Sequence, residues 1–365
     1  MEEKTPDRLN WLRFLAGLVL VLALSILAWW ITKKVYAINL PFGIPGKVFE
    51  YPIWAVVVGI LANLVLRLFK ARDFFKPGIR TELFLKIGLV LLGTSINLNL
   101  LVTTAGGAVL QAFIMITSVF FFTYWLAGKF GMDDKLRAVM STALSVCGIS
   151  AAIAAAGSVM AKKEQVSYVI AIVVLVALPL MVLAPIAGHA MHLPDAVAGA
   201  WFGGNIDTTA AVVGAGTLYS QAAQQVATIV KSTQNALIGL VAFLLALYYA
   251  GKTEGRQRPS AKMIWDRFPK FVLGFIAASI LFTLGQVFKG PLGLIDGRAG
   301  TALDALKSWA FTLAFVCMGL EFAFGEIKSM GWKPVAVFLI ATLFNTVLAL
   351  GVSWVIFSYL LPIKF

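Results

Sequence analysis

Apolar stretches separated by short polar ones recur along the whole chain, at 11–31, 51–69, 83–101, 107–126, 138–161, 166–187, 196–219, 222–250, 271–288, 309–324 and 335–360. Most approach the ~20 residues that carry a helix across a hydrocarbon core about 30 Å thick. They are too long and too continuous for barrel strands, which alternate over about 10 residues. The pattern predicts an all-α polytopic membrane protein of about 11 membrane segments. No polar stretch is long enough to hold a soluble core, so residues 1–365 read as a single transmembrane domain. The first segment has tryptophans at both ends and is read as a span rather than a cleavable signal.

Two segments break the pattern internally. Residues 138–161 are interrupted by Ser145-Val146-Cys147-Gly148-Ile149-Ser150 before a run of alanines, and 196–219 carries Gly203-Gly204-Asn205-Ile206-Asp207-Thr208-Thr209. Between Gln165 and Gly251 the formal charges are Asp195, Asp207 and Lys231 alone. An ionisable group at bilayer depth costs about 2.5–3.5 kcal/mol, so Asp207 and Lys231 require a reason to be there. The glycines are places where a helix can unwind. The two broken segments are expected either to cross the membrane fully or to dip in and return.

Charge then orients the spans. Lys and Arg gather in a loop holding Arg67, Lys70, Arg72, Lys76, Arg80 and Lys86, in Lys129, Lys135 and Arg137, and in a second loop with Lys252, Arg256, Arg258, Lys262, Arg267 and Lys270. The positive-inside rule puts these on the cytoplasmic side, with the N-terminus inside and the C-terminus outside. The net charge of +13 is explained by these loops beside anionic lipid, without nucleic acid as a partner. Composition agrees with a bilayer solvent: 60% of residues are hydrophobic and the mean hydropathy is +0.89. The two cysteines, Cys147 and Cys317, each lie inside a span. With His189 and His192 they make no metal-ligand spacing, so neither a zinc site nor any other cofactor is expected.

A weak internal repeat relates three early segments to the last three. Tyr51-Pro52 with Gly59 parallels Phe268-Pro269 with Gly274. Leu91-Leu92-Gly93 parallels Cys317-Met318-Gly319, with Leu98 and Leu100 matching Phe322 and Phe324. Gly106-Gly107 parallels Gly331-Trp332. The charge-based topology gives the two triplets opposite orientations, as inverted repeats with broken or re-entrant helices require. The alternative is ordinary packing glycine.

The runs Cys147-Gly148-Ile149-Ser150-Ala151-Ala152, Gly203 to Thr209 with Val212-Val213-Gly214-Ala215-Gly216, and Lys231-Ser232-Thr233-Gln234-Asn235 resemble the YeiH-type sulfate exporter family over nearly the whole chain. The chain departs from many members at Asp207-Thr208, where they carry a histidine–acid pair. The resemblance implies a bacterial inner-membrane protein of the bile-acid-symporter and cation/proton-antiporter superfamily. It also implies two inverted repeats, a panel domain, and a core domain with crossing broken helices.

Candidate residues follow from both lines. The substrate-binding candidates are Cys147, Gly148, Ile149, Ser150, Gly203, Gly204, Asn205, Thr208, Thr209, Lys231 and Asn235. Backbone N–H groups at helix breaks and hydroxyls suit an anion. The competing readings are close helix packing for the glycines and backbone bonding for Ser and Thr. Asp207 is either a Na+ or proton site or the partner of Lys231 in a structural ion pair. Lys231 either meets an oxyanion or snorkels to the outer interface. Asn97 and Asn345 read as interhelical glue, and Glu321 as interfacial.

The function that fits is secondary active export of a small anion such as sulfate or sulfite by alternating access. A sodium- or proton-coupled organic-anion symporter is the rival. An intramembrane enzyme is disfavoured, since no paired catalytic motif is present. A nucleotide-driven pump is disfavoured by the lack of a GxxxxGK[ST] loop. The expected partners are a small anionic substrate, Na+ or H+, and the lipid bilayer, with a homodimer left open.

Overall fold

The computed structural model describes residues 7–36, 51–95, 98–250, 265, 270–287, 297–322 and 331–363. The Pro41 to Gly46 loop, Asn97, most of the second basic loop (Lys252, Arg256, Arg258, Lys262 and Arg267), and Phe268-Pro269 and Phe324 of the repeat lie outside them. Every described element is helical, as a chain in lipid demands, because a helix satisfies its backbone within the segment. Seven helices among the described residues are long and apolar enough to span, accompanied by shorter apolar ones.

The chain forms two compact units, one of Met1–Ser95 with Gly274–Phe322 and one of Ile96–Leu273 with Ala323–Phe365. The first contains α1 (Asp7–Tyr36), α2 (Tyr51–Leu68), α3 (Arg72–Phe75), α4 (Thr81–Gly93), α13 (Phe271–Val287) from Gly274 onward, and α14 (Gly297–Glu321). Helix α4 stops earlier than the apolar run 83–101 suggested. The Thr94 hydroxyl folds back onto the Leu91 carbonyl (2.7 Å), and Leu98 already belongs to the next helix. At one end of α14, the Glu321 carboxylate accepts from Thr81 in an exposed contact (2.8 Å). Small residues bring these backbones together. Gly59 of α2 packs on Val316 and Gly319 of α14, while Gly93 and Val90 of α4 pack on Phe275 and Gly274 of α13. Exchanging the residues that the repeat equates (Gly59 with Gly274, Gly93 with Gly319) turns one contact into the other. These glycines therefore pack helices, in a reciprocal way that the repeat anticipates.

The second unit contains α5 (Leu98–Lys129), α6 (Asp134–Thr142), α7 (Ile149–Val159), α8 (Lys163–Ala190), α9 (Asp195–Asn205), α10 (Thr209–Tyr219), α11 (Gln221–Ala236), α12 (Ile238–Ala250) and α15 (Trp332–Val355). Its plan is set by the two interrupted segments, and both turn back. Lys135 at the start of α6 donates to the Met160 carbonyl after α7 (3.1 Å), and Gln165 of α8 donates to Asp133 (2.9 Å). At the other interrupted segment, Ser220 after α10 donates to Asp195 at the start of α9 (2.7 Å), and Tyr219 bonds the Leu193 carbonyl. Each pair of ends meets, so 134–159 and 195–219 are re-entrant hairpins. The crossing of broken helices implied by the family resemblance is not what this chain adopts.

The hairpins enter from opposite ends of α8. One opens beside its first residues, the other beside Gly188 and His189 near its last, against which Tyr219 packs. A helix of 28 residues is roughly 42 Å long, enough to cross fully. Helices α11 and α12 form the second crossing element. Gly199 and Gly203 of α9 pack along α11, and Asn235 of α11 reaches back to Thr209 of α10 (3.0 Å). On α12, Tyr249 holds Asp134 at the base of the first hairpin (2.9 Å). Single cysteines placed at Lys135 and Met160 are expected to react with an impermeant thiol reagent from the same membrane face. Cysteines at Asp195 and Ser220 should react from the other. Labelling of 135 and 160 from opposite faces would mean the segment crosses.

Candidate functional site: the meeting of two hairpin tips

The first tip is built by a change of helical winding. After α6 the chain widens into a π-turn over Ala143–Cys147, closed by the Gly148 N–H on the Ala143 carbonyl (2.8 Å). Gly148 then takes φ +59°, a conformation that glycine adopts without a Cβ penalty, and α7 starts at Ile149. The second tip breaks where Gly203-Gly204 weakens the helix by about 1 kcal/mol per glycine. Ile206 is extended, and Thr208 caps α10 by accepting from the Ala211 N–H (3.3 Å). The tips touch: a Cβ on Gly148 would lie 3.1 Å from the Asp207 carbonyl oxygen and 2.6 Å from Val173 of α8.

The ends of the four half-helices are treated unequally. The first hairpin's descending arm ends in carbonyls that are capped by side chains from α11. Lys231 donates to the Val146 carbonyl (2.7 Å) and to Gln234 Oε1 (3.2 Å), and Gln234 donates to the Ser145 carbonyl (2.9 Å). The end of α9 is held by α15: Asn345 donates to the Asn205 carbonyl and Thr346 to Asn205 Oδ1, both at 2.9 Å. Gln111 of α5 donates to the Ala200 carbonyl (2.8 Å) and presses on Gly204. At the starts of α7 and α10, by contrast, the first-turn N–H groups have no partner within the helix. Thr208 supplies one. The positive ends of two helix dipoles thus point at the tip region with donors to spare.

Asp207 lies between them. It is 1% exposed, and neither carboxylate oxygen has a hydrogen-bond partner among the described residues. Lys231, also 1% exposed, is the opposite charge that acts on it, yet the two form no direct ion pair among the described residues. Of the two alternatives for Lys231, snorkelling does not occur, because the Val146 carbonyl and Gln234 Oε1 capture the ammonium. Asn235 Oδ1, Asn205 Nδ2 and Ser232 Oγ are likewise buried without partners.

The structure sorts the remaining expected residues. Cys147 and Gly148 are buried at the first tip, and Asn205, Thr208 and Thr209 sit at the second, Thr209 only half-buried. Gly203 serves packing, with its hydrogens against Ala227 and Val230. Ser150 is exposed and Ile149 half-buried, because the inward stripe of α7 is Ala151, Ala152, Ala155, Ala156 and Val159. Ser150 therefore leaves the buried site. Gln111 and Thr346 were not singled out from sequence; each is one of several polar residues in a long apolar helix, and nothing local names its partner. Among the described residues no group of three His, Cys, Asp or Glu could hold a metal ion.

Comparison with known proteins identifies the family of the chain. No solved structure matches the chain. It is 37% identical to a UPF0324 membrane protein of Rhodopirellula baltica over 94% of this chain and 63% of that protein. A UPF0324 membrane protein of Nitratidesulfovibrio vulgaris is 36% identical over 85% of this chain and 55% of its own length. A second from the same organism is 31% identical, covering 87% and 86%. The chain thus spans little more than half the length of the first two relatives. The family model described as conserved hypothetical protein 698 matches residues 16–338, and the chain belongs to that family, the UPF0324 membrane proteins.

Proposed function

We propose that this chain is a secondary active transporter of a small anion, working by alternating access across the bacterial inner membrane. The N-terminus is cytoplasmic, the C-terminus periplasmic, and the first hairpin opens to the cytoplasm, where Lys129, Lys135, Lys162 and Lys163 gather. The observation that carries the reading is the meeting of two hairpin tips at a buried carboxylate that has no hydrogen-bond partner among the described residues. Irregular backbone at membrane depth is tolerated where it is buried in protein or lines a cavity, and half-helix starts there offer N–H donors to an anionic group. No enzymatic step is needed to account for these features. The family resemblance supplies sulfate and sulfite as the first anions to try, and export as the direction.

Asp207 favours a second element, a coupling cation. An anion at the α7 and α10 starts is repelled by an ionised Asp207. Binding is strengthened once that carboxylate holds a proton or Na+, and by linkage the anion raises the affinity for the cation by the same factor. This is the symporter form of the same site. Thermal unfolding of the purified protein, with sulfate, sulfite, sulfonates and dicarboxylates and with or without Na+, tests both. A specific anion at a hundredfold excess over its Kd stabilises by about 2.7 kcal/mol. Asp207→Asn breaks no hydrogen bond among the described residues. It is expected to remain folded, to bind the anion, and to lose any dependence of that binding on Na+ or pH, with coupled flux in proteoliposomes abolished. Wild-type coupling in Asp207→Asn would remove Asp207 from the mechanism, and no shift with any anion would remove the anion site.

A further inference from the structure

The end of α9 is gripped by two buried amides, one from α5 and one from α15. Gln111 Nε2 donates to the Ala200 carbonyl (2.8 Å) and lies against Gly204; its side chain is fully buried. Asn345 is 1% exposed and donates Nδ2 to the Asn205 carbonyl (2.9 Å). Both amides lie on one side of α9. A Cβ on Gly204 would meet the Gln111 amide and would lie 3.8 Å from the Ala349 methyl, one turn along α15 from Asn345. Each amide has its nitrogen on α9, while Gln111 Oε1 and Asn345 Oδ1 have no hydrogen-bond partner among the described residues. Asn205 adds a third oxygen. Thr346 has one hydroxyl proton, with the Thr342 carbonyl at 2.8 Å and Asn205 Oδ1 at 2.9 Å. A helical threonine gives that proton to the carbonyl four residues back. A half-turn of the Asn205 amide then lets Nδ2 donate to the Thr346 oxygen, and Oδ1 takes the partnerless position. Three amide oxygens from three helices thus sit at the negative pole of the α9 dipole. Asp207 follows two residues on, its carboxylate also without a hydrogen-bond partner among the described residues. The basic residues of α5, α9 and α15 are Lys129 and Lys333, both at far helix ends, and Lys231 is held by the Val146 carbonyl and Gln234.

We propose that this end of α9 binds Na+, with Gln111 Oε1, Asn205 Oδ1 and Asn345 Oδ1 as neutral ligands and Asp207 as the balancing charge. Hard cations take oxygen ligands, and the C-terminal ends of half-helices hold Na+ in membrane transporters. One carboxylate among neutral amides balances a monovalent ion. A transition metal would need the cluster of His, Cys, Asp or Glu that is absent among the described residues. Water fits less well, because it donates two hydrogens and leaves a third buried acceptor and the carboxylate unmet. The inference gives ligands to the coupling cation of the reading above and rests on that reading for its role in transport; the binding itself requires no transport.

Thermal unfolding of the purified full chain, without any candidate substrate and in NaCl, KCl or choline chloride at one ionic strength, tests the site. Na+ is expected to stabilise saturably, beyond the other two salts. Gln111→Met fills a similar volume without an oxygen and should weaken Na+ binding roughly 10- to 100-fold, the range for one lost contact to a charged group. Asn345→Asp loses the donor to the Asn205 carbonyl but keeps an oxygen and adds charge. It should fold less stably and yet bind Na+ at least as tightly. A purely structural role for these amides predicts lower stability in both variants and an unchanged response to Na+. Equal stabilisation by the three salts overturns the proposal, as does wild-type Na+ affinity in Gln111→Met or loss of the Na+ response in folded Asn345→Asp. Na+ binding with no response to any anion would leave this site standing and remove the anion transporter. A response to an anion with no effect of Na+ would do the reverse and leave coupling to protons.

Discussion

Lys231→Ala is expected to lower the unfolding free energy by about 2–5 kcal/mol, the cost of emptying a buried site and leaving its hydrogen-bond acceptors without a donor. Three losses combine. The Val146 carbonyl at the end of the π-turn loses its donor, Gln234 loses a partner, and Asp207 loses the only cation known to act on it among the described residues. The side chain is also among the largest that are fully buried, so truncation leaves a cavity. A double-mutant cycle separates the electrostatic part. Asp207→Asn with Lys231→Ala should be more stable than the sum of the singles predicts, by roughly 0.5–3 kcal/mol, because the charge orphaned by the first change is removed by the second. Chemical or thermal unfolding in one detergent supplies all four values. Strict additivity would mean that Lys231 acts as a backbone cap alone and that Asp207 does not sense it.

Gly148→Ala is expected to cost about 2–6 kcal/mol and to abolish transport. The backbone there, φ +59° with ψ −108°, lies outside the regions open to a side chain, including the left-handed helical one, and costs about 1–3 kcal/mol. The new Cβ would also press on Val173 at 2.6 Å and on the Asp207 carbonyl at 3.1 Å, and such overpacking adds about 1–3 kcal/mol. Gly131 provides the internal control. Its φ is +70°, and nothing among the described residues lies within 4 Å of a Cβ there, so Gly131→Ala carries a positive-φ cost without a steric one. Gly148→Ala should be clearly the worse of the two in stability. Its flux should fall further still, because the tips cannot close to their present distance. Equal stability losses would show that the tip contact is slack, and preserved flux would show that the tips need not touch.

How much of this was written in the chain differs by residue. The apolar runs determined the class of fold, because a span must satisfy its own backbone and apolar length reports that directly. They also located both breaks, since Gly148 and Gly203-Gly204 are local features with local consequences. Asp207 and Lys231 stood out because charge at bilayer depth is costly wherever it lies. The glycine repeat pointed to helix contacts that Gly59, Gly93, Gly274 and Gly319 then make reciprocally.

Tertiary structure alone decided the rest. Whether 134–159 crosses or returns depends on Lys135 meeting Met160, a contact no local pattern specifies. The same holds for Ser220 and Asp195. Lys231 pairs with a carbonyl 85 residues away instead of with Asp207 or the interface. Asn205 is held by Asn345 and Thr346 of a distant helix. A single polar residue in an apolar helix announces that a partner exists; only the packed chain names it, because a hydrogen bond is fixed within a few tenths of an ångström, whereas sequence records only the helical face on which the group lies.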